Sequence, residues 1–222
     1  MYLRIKLAVV ALALSSAALA QNNAPVDGPF QVKYAANLNL ADAVFNVTNT
    51  GVNTDPVTGI GDICVNTYVF ASDEQLAACC TCKITRNSLW SMSANRDLIS
   101  DILTPDPTIA KYGIVVKLVA TLPTGTTATC DATKVGTQTQ GLAAWGTSAH
   151  YIQPAPVGGV FPAPTGAFYT ETPFTNSTLA TAEYANMAAF CGFIKANGSG
   201  YGICKSCAVL PGNNIGLGAD HQ

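Results

Sequence analysis

Charged residues and histidines are scarce in this chain. Its 222 residues include 11 Lys and Arg, 13 Asp and Glu, and two histidines. A charge this sparse and slightly acidic provides no basic surface for nucleic acid or for an anionic membrane. The sequence therefore predicts no nucleic-acid partner and no electrostatic attachment to lipid.

Long apolar runs are also absent after the first twenty residues. At the N-terminus, Arg4 and Lys6 precede an apolar run that ends at Leu14, and Ala18-Leu19-Ala20 has the small residues of a signal-peptidase site. These features predict a secretory signal peptide at 1–20 and no membrane span in the remaining chain. Removing Arg4 and Lys6 leaves 9 basic and 13 acidic residues, a formal net charge of −4.

We expect the exported chain to begin with a flexible leader at 21–30, followed by a single β-rich extracellular domain at 31–222. Its location would be secreted, periplasmic or at the cell surface. Cysteines in an exported chain indicate disulfides, because these compartments are oxidising, but the sequence does not choose among the possible pairings. The eight cysteines are Cys64, Cys79, Cys80, Cys82, Cys130, Cys191, Cys204 and Cys207.

Half of these cysteines lie in residues 64–82, which we call the cysteine hub. Its first part alternates β-branched residues with other side chains up to Phe70, a pattern typical of a strand. Ser72 and Gln75 then have the spacing of a capping box, which predicts a short helix at 73–79. Adjacent Cys79 and Cys80 cannot pair with each other without strain, so we expect them to send disulfides in two directions.

The remaining pattern predicts strands separated by turns and one long helix. The strands are predicted at 44–48, 64–70, 89–92, 112–122, 142–152 and 168–172. The helix is predicted to start after Ser177 or Thr178 and to stop at Asn197-Gly198. Its expected buried face is Leu179, Ala182, Met187, Phe190, Phe193 and Ile194. Together these elements predict a mainly β, disulfide-stapled fold, an antiparallel β-sandwich with one C-terminal helix.

A metal site is the main alternative for the cysteines. Cys79-x-x-Cys82 and Cys204-x-x-Cys207 are two CxxC pairs, the pattern of a structural zinc site. Export to an oxidising compartment favours disulfides instead. We therefore expect no cofactor and keep a zinc-binding cysteine module as an alternative.

Catalytic motifs are weak throughout the chain. There is no G-x-S-x-G elbow, and His150 sits in a predicted strand. Paired carboxylates are the basis of glycoside hydrolysis, and their separation is not readable from a sequence. The candidates are Asp97, Asp101, Asp106 and Glu171.

Two blocks of residues form a distinctive pattern between 64 and 207. The first block is Cys64-x3-Tyr68-Val69-Phe70, Glu74-Gln75 and Cys79-Cys80-x-Cys82. The second block is Thr170-Glu171-Thr172-Pro173-Phe174, Glu183, Cys191, Phe193-Ile194 and Asn197-Gly198-Ser199-Gly200-x-Gly202-x-Cys204. In this pattern the chain resembles a group of secreted, cysteine-rich bacterial proteins of unknown function, and the resemblance implies export and disulfide stapling.

The favoured interpretation is a non-catalytic extracellular protein that binds an unknown ligand or forms part of a surface structure. A secreted polysaccharide hydrolase that uses paired carboxylates is the first alternative, and the zinc module is the second. A concave site with two carboxylates in catalytic reach would indicate the hydrolase, whereas a binding protein needs no such pair.

Overall fold

The computed structural model describes residues 27–53, 61–103, 108–125, 128–163 and 165–205. Within them the predicted fold class is confirmed: nine strands form two antiparallel sheets and one long helix follows. The strands are β1 (Phe30–Ala36), β2 (Val44–Asn49), β3 (Ile63–Ala71), β4 (Leu76–Ile84), β5 (Leu89–Ser93), β6 (Gly113–Thr121), β7 (Leu142–Ile152), β8 (Gly166–Pro173) and β9 (Thr175–Asn176). The helices are a single turn, α1 (Ile109–Tyr112), and the long α2 (Thr181–Asn197).

The two sheets share one apolar core. The five-stranded sheet has the order β4-β3-β6-β1-β9, and the four-stranded sheet has the order β5-β2-β7-β8. Val65 and Leu118 of the first sheet belong to the same buried cluster as Phe45 and Leu142 of the second. The chain crosses from the second sheet to the first at Phe174, whose buried ring packs edge-on against Phe45 with 5.8 Å between centroids.

β6 lies in the middle of the five-stranded sheet, between β3 and β1. Val116 and Leu118 point into the core between the sheets, while Val119 joins a second cluster on the opposite face. A strand covered on both faces gains from apolar residues at nearly every position. This confirms the strand predicted at 112–122, and its nearly continuous β-branched run fits burial on both faces.

The second cluster lies beneath α2, on the outer face of the five-stranded sheet. It joins Phe30, Tyr68 and Cys79 of the sheet to Tyr184 and Met187 of the helix. The Tyr184 hydroxyl accepts hydrogen bonds from the Asn66 side-chain amide at 3.2 Å and from the Gly136 N–H at 3.1 Å. The helix therefore holds both the sheet and the loop that follows β6.

The predicted buried face of α2 was partly wrong. Met187 and Ile194 are buried, but Phe190 and Phe193 are 60% and 68% exposed, and Ala182 is also exposed. The buried residues are Tyr184, Met187, Ala188, Cys191 and Ile194. These residues also recur at three- and four-residue spacing. The helix has apolar residues on two sides, so the spacing alone did not show which side is buried. The link from Cys191 to Cys79 is made on the observed stripe.

The sequence predicted the C-terminal end of α2 correctly and placed its N-terminal end too early. The stop is confirmed, since Gly198 has the left-handed φ of 70° that closes many helices. The start is four residues after Ser177, at Thr181, and the cap residue Ala180 makes no side-chain hydrogen bond. The Ser177 N–H instead donates to the Phe30 carbonyl, which attaches this segment to β1.

The predicted helix at 73–79 was wrong. Residues Leu76–Ile84 form β4, which pairs with β3 along its length and makes the cysteine hub a β-hairpin. The capping-box residues form the turn: the Glu74 N–H donates to the Ala71 carbonyl, and Glu74 has a φ of 65°. A strand partner next to the segment outweighs a local capping signal, because it satisfies every second backbone group of β4.

All six predicted strands are present, as β2, β3, β5, β6, β7 and β8. Their ends differ from the predicted ones by at most two residues, the largest difference being the start of β8 at Gly166. The sequence missed β1, β4 and β9. A π-helical turn occupies Ala94–Leu98, directly after β5.

Residues 27–30, the part of the predicted leader that the structure describes, are bound to the rest of the fold. Asp27 accepts hydrogen bonds from the Gly141 N–H at 2.7 Å and from the Thr50 hydroxyl at 2.9 Å. Phe30 is buried and begins β1. The signal peptide predicted at 1–20 and residues 21–26 of the leader lie outside the described residues.

Candidate functional site

The cysteine hub is the most heavily cross-linked part of the molecule. Cys79 and Cys80 are neighbours on β4, so their side chains point to opposite faces of the sheet. Cys79 is bonded to Cys191 of α2 on the outer face, and Cys80 is bonded to Cys204 beyond the helix. The expected staples in two directions are both present, and each links residues more than 100 positions apart.

A third disulfide fastens the loop after β6. Cys64 at the start of β3 is bonded to Cys130, which ties the Thr- and Gly-rich loop after β6 to the sheet. Cys82 is also disulfide-bonded. Cys207 lies outside the described residues.

The alternative zinc site loses its ligands to these bonds. Zinc binds cysteine as the thiolate, and a sulfur in a disulfide is not one. Cys79 and Cys204 belong to two different disulfides, and Cys82 belongs to another. Across the described ranges, no group of three or more His, Cys, Asp or Glu side chains is arranged to hold a metal ion.

The candidate catalytic carboxylates are engaged in ways that suit structure. Asp97 is buried, accepts a 2.7 Å hydrogen bond from the Ser93 N–H and pairs with Arg96 at 2.9 Å. Asp101 forms an ion pair with Lys205 at 2.8 Å. Asp97 and Asp101 both lie at the turns after β5, and Asp106 lies outside the described residues.

Glu171 is far along the chain, on the four-stranded sheet, and exposed on β8. Its charge acts on Lys33 of β1, a buried lysine whose ammonium donates to the Thr172 hydroxyl. Burial of the ammonium lowers the pKa of Lys33 more than the negative charge of Glu171 raises it. The bond from Lys33 to Thr172 anchors β8 to β1.

An open groove lies where the end of β1 meets β7. Its volume is about 430 Å³, and its lining is mostly apolar. It is lined by residues 34–37, residues 113–115, residues 148–150 and Ser72. We call it the Tyr34 groove, because the Tyr34 ring is 72% exposed and stands at its wall.

Two polar side chains of the Tyr34 groove, Asn37 and His150, are held by contacts with neighbouring strands. Asn37 has a left-handed φ of 61°, and its amide donates to the Ala149 carbonyl at 2.9 Å, which joins the two sides of the groove. His150 stacks on Phe168 with 5.0 Å between ring centroids, and its Nε2 lies 2.7 Å from the Thr170 hydroxyl oxygen. None of the lining residues is Asp, Glu, Lys or Arg.

The sequence pointed to His150 only as a strand residue and did not single out Tyr34 or Asn37. His150 does lie in β7. A short Asn-containing turn after β1 is a signal for Asn37, because Asn tolerates left-handed backbone. Tyr34 has no such signal, since a tyrosine in a strand is as often buried as exposed.

No family model, no curated protein and no solved structure matches this chain. Among the helices of the described residues, none has both the length and the apolar character needed to cross a membrane.

Proposed function

We propose that this chain is an exported, non-catalytic binding protein and that the Tyr34 groove is its ligand site. The observation that carries the proposal is the neutral, open groove with one freely exposed tyrosine ring. Ligand sites typically combine an apolar wall with a few polar groups that fix orientation. The groove has that composition in Tyr34, Asn37 and His150.

The ligand class that suits these groups is a neutral, hydroxyl-rich molecule such as a sugar unit of a polysaccharide. The face of the Tyr34 ring offers apolar contact to the C–H face of a sugar, while Asn37, Ser148 and His150 can exchange hydrogen bonds with hydroxyls. A charged ligand would find no opposite charge among the lining residues. The open shape favours a chain that passes over the surface.

Export and an oxidising compartment belong to the same proposal. The disulfides, three of them between described cysteines, fit an extracellular or otherwise oxidising location. The predicted signal peptide and the resemblance of residues 64–207 to secreted, cysteine-rich bacterial proteins support secretion. A disulfide-stapled frame also keeps a binding site in shape outside the cell.

The polysaccharide hydrolase receives less support from the same surface. Such an enzyme needs two carboxyl groups about 5–10 Å apart on either side of the scissile bond. Asp97 and Asp101 are engaged with Arg96 and Lys205, and the groove has no carboxylate in its lining. We therefore place polysaccharide binding ahead of polysaccharide cleavage.

The test is binding of the mature protein to soluble neutral polysaccharides built from glucose, xylose or galactose, measured by isothermal titration. We expect binding to at least one of them and no release of reducing ends. Tyr34→Ala should weaken that binding roughly tenfold or more, because truncating a central aromatic typically costs more than 1 kcal/mol. The matched control is Tyr201→Ala, since Tyr201 is also exposed but does not line the groove.

Three results would contradict the proposal, each in a different way. Cleavage of a bound polysaccharide would show that the protein is a hydrolase and not a non-catalytic binding protein. Equal affinities for Tyr34→Ala and Tyr201→Ala would show that the groove is not the site. Failure to bind any of the three polysaccharides would remove neutral polysaccharide as the ligand class.

A further inference from the structure

The edge strand β8 differs from the other three sheet edges. The edge of β4 is covered by residues 202–204, with a bridge from Cys79 to Ile203 and a 2.8 Å bond from the Cys79 N–H to the Gly202 carbonyl. β9 has only two residues, and β5 has five and runs directly into a helical turn. β8 has eight residues and pairs only with β7 in the described part of the chain.

Proteins usually protect an edge strand with lysine, proline, a bulge or a covering segment, because its free backbone groups pair with any other strand. β8 has no lysine, and its register with β7 is continuous from Gly166 to Pro173. Its only proline stands at the last position, and its only charged residue is Glu171. Among the described residues, nothing but β7 pairs with this strand, so its other edge is open over most of its length.

The hydrogen bonds between β8 and β7 show which residues of β8 direct their backbone N–H and C=O groups away from β7. The Phe174 N–H donates to the Ala144 carbonyl at 2.8 Å, in register with the pairs of β7 and β8. Because antiparallel pairs alternate, the even-numbered residues of β8 direct their backbone groups to β7. Ala167, Tyr169 and Glu171 direct theirs away from the sheet.

β7 and β8 also extend beyond the sheet as a two-stranded ribbon. β2 pairs with β7 only up to Gly146, and we call the two-stranded part beyond it, residues 147–163 and 165–171, the arm. The base of the arm still contacts the rest of the fold, since the Thr147 hydroxyl accepts from the Val44 N–H and the Ala149 carbonyl accepts from the Asn37 amide. Nearly all of β8 is exposed on both faces, and the arm carries exposed apolar residues along its length. They are Ile152, Val157, Val160, Phe161, Phe168 and Tyr169. A two-stranded ribbon is marginal by itself in water and gains most from further strands.

We infer that β8 pairs with β8 of a second copy of this chain, antiparallel and about a twofold axis at Tyr169. The four-stranded sheet then continues through both molecules. A same-strand contact of this kind is self-complementary, as twofold dimers require. This inference is independent of the groove and of the ligand proposed for it.

A second copy fits β8 because of where its side chains fall in this register. Tyr169 faces the same residue of the second copy, which places two aromatic rings across the pair. Glu171 faces Ala167, so the only charge on the strand is not opposite its own copy. Phe168 faces Thr170. No like charges meet, and the outward N–H and C=O groups of both strands are satisfied.

The test is the oligomeric state of the mature, oxidised protein, measured by sedimentation over a range of concentrations. We expect a reversible dimer. Tyr169→Lys should weaken dimerisation roughly tenfold or more, because it replaces an aromatic pair by two ammonium groups directly opposite each other. Tyr201→Lys is the matched control, since Tyr169 and Tyr201 are both 54% exposed and Tyr201 lies outside the arm.

A mixture of Tyr169→Lys and Tyr169→Glu tests the twofold axis. If the two positions face each other, the mixture should form a heterodimer more tightly than either variant alone forms a dimer. Melting temperatures of all variants, expected near that of the wild type, establish that each is folded. A monomeric wild type at every concentration would overturn the inference. Equal weakening by Tyr169→Lys and Tyr201→Lys, or no preference for the mixture, would overturn it as well.

Discussion

The stapled face and the arm differ in their cross-links and in the exposure of their apolar side chains. The stapled face is the outer side of the five-stranded sheet with α2, where Cys79 is bonded to Cys191 and an apolar cluster is buried beneath the helix. The arm contains no cysteine and leaves several large apolar side chains in solvent. Similar apolar residues are therefore used for a core in one region and for a surface in the other.

This difference indicates which region is free to serve binding. Covalent links and buried contacts on the stapled face restrict its motion and leave it little open backbone. Within the described ranges, the arm and the Tyr34 groove keep exposed rings, and β8 pairs only with β7. The proposed binding would use such apolar and backbone contacts, because a chain with few charges has little charge to use for steering.

The largest expected effect comes from removing the disulfide between β4 and α2. Cys79→Ala with Cys191→Ala should lower the free energy of unfolding by several kcal/mol, on the order of 4–5 in the chain-entropy account of a long loop. Urea unfolding of the oxidised protein measures it. Phe161→Ser at the tip of the arm is the contrasting change and should alter stability by less than about 0.5 kcal/mol.

If the double variant Cys79→Ala with Cys191→Ala loses less unfolding free energy than Phe161→Ser, the expected contrast between the stapled face and the arm is wrong. It would mean that the buried cluster alone holds α2 to the sheet. Intact mass before and after reduction, with all eight cysteines expected to be oxidised in the wild type, checks the starting material.

The next effect separates the two sides of α2. Met187 is buried against the sheet, and its truncation to Ala should cost roughly 2–5 kcal/mol through lost contacts and a cavity. Phe193→Ala removes a larger side chain but should change stability by about 0.5 kcal/mol or less, because that ring is already in solvent. Thermal melting of both variants measures the difference. Equal losses would show that the Phe193 side of the helix is covered.

The smallest effect is a pH dependence in the loop beneath α2. Burial disfavours the charge of Asp131, but hydrogen bonds from Thr133 and Lys134 and the charge of Lys195 outweigh it and lower the pKa of Asp131. A pKa lower in the folded than in the unfolded state stabilises the fold above the unfolded value, about 3.9, and that gain is lost as the pH falls through the folded value.

Asp131→Asn should therefore destabilise the protein by about 1 kcal/mol or less at pH 7. The gap to the wild type should close as the pH falls below about 4. Urea midpoints across this range measure the gap. Asp73→Asn, at an exposed turn where the amide oxygen can still accept from the Gln75 N–H, is the control and should show a smaller gap at pH 7. A gap that stays constant with pH would show that the Asp131 charge is not the cause.

Local patterns predicted most of the strands and the end of the long helix. The β-branched run of β6 and the alternation of β3 act through neighbouring residues, so they are readable in the sequence. Gly198 ends α2 because only a residue that tolerates left-handed backbone fits there. The oxidised state of the cysteines was also predictable, since the predicted signal peptide implies an oxidising compartment whatever the fold.

Tertiary structure decided what depends on contacts between distant residues. Leu76–Ile84 is a strand because β3 lies beside it, although Ser72 and Gln75 favour a helix locally. The sequence left undecided which side of α2 faces the sheet, because the helix has two apolar stripes. Its packing on the sheet, with Cys191 bonded to Cys79, selects one of them. The Tyr34 groove joins β1 to residues of β7 more than 100 positions away. No pattern within a few residues contains such distances, because they arise only when the sheets pack.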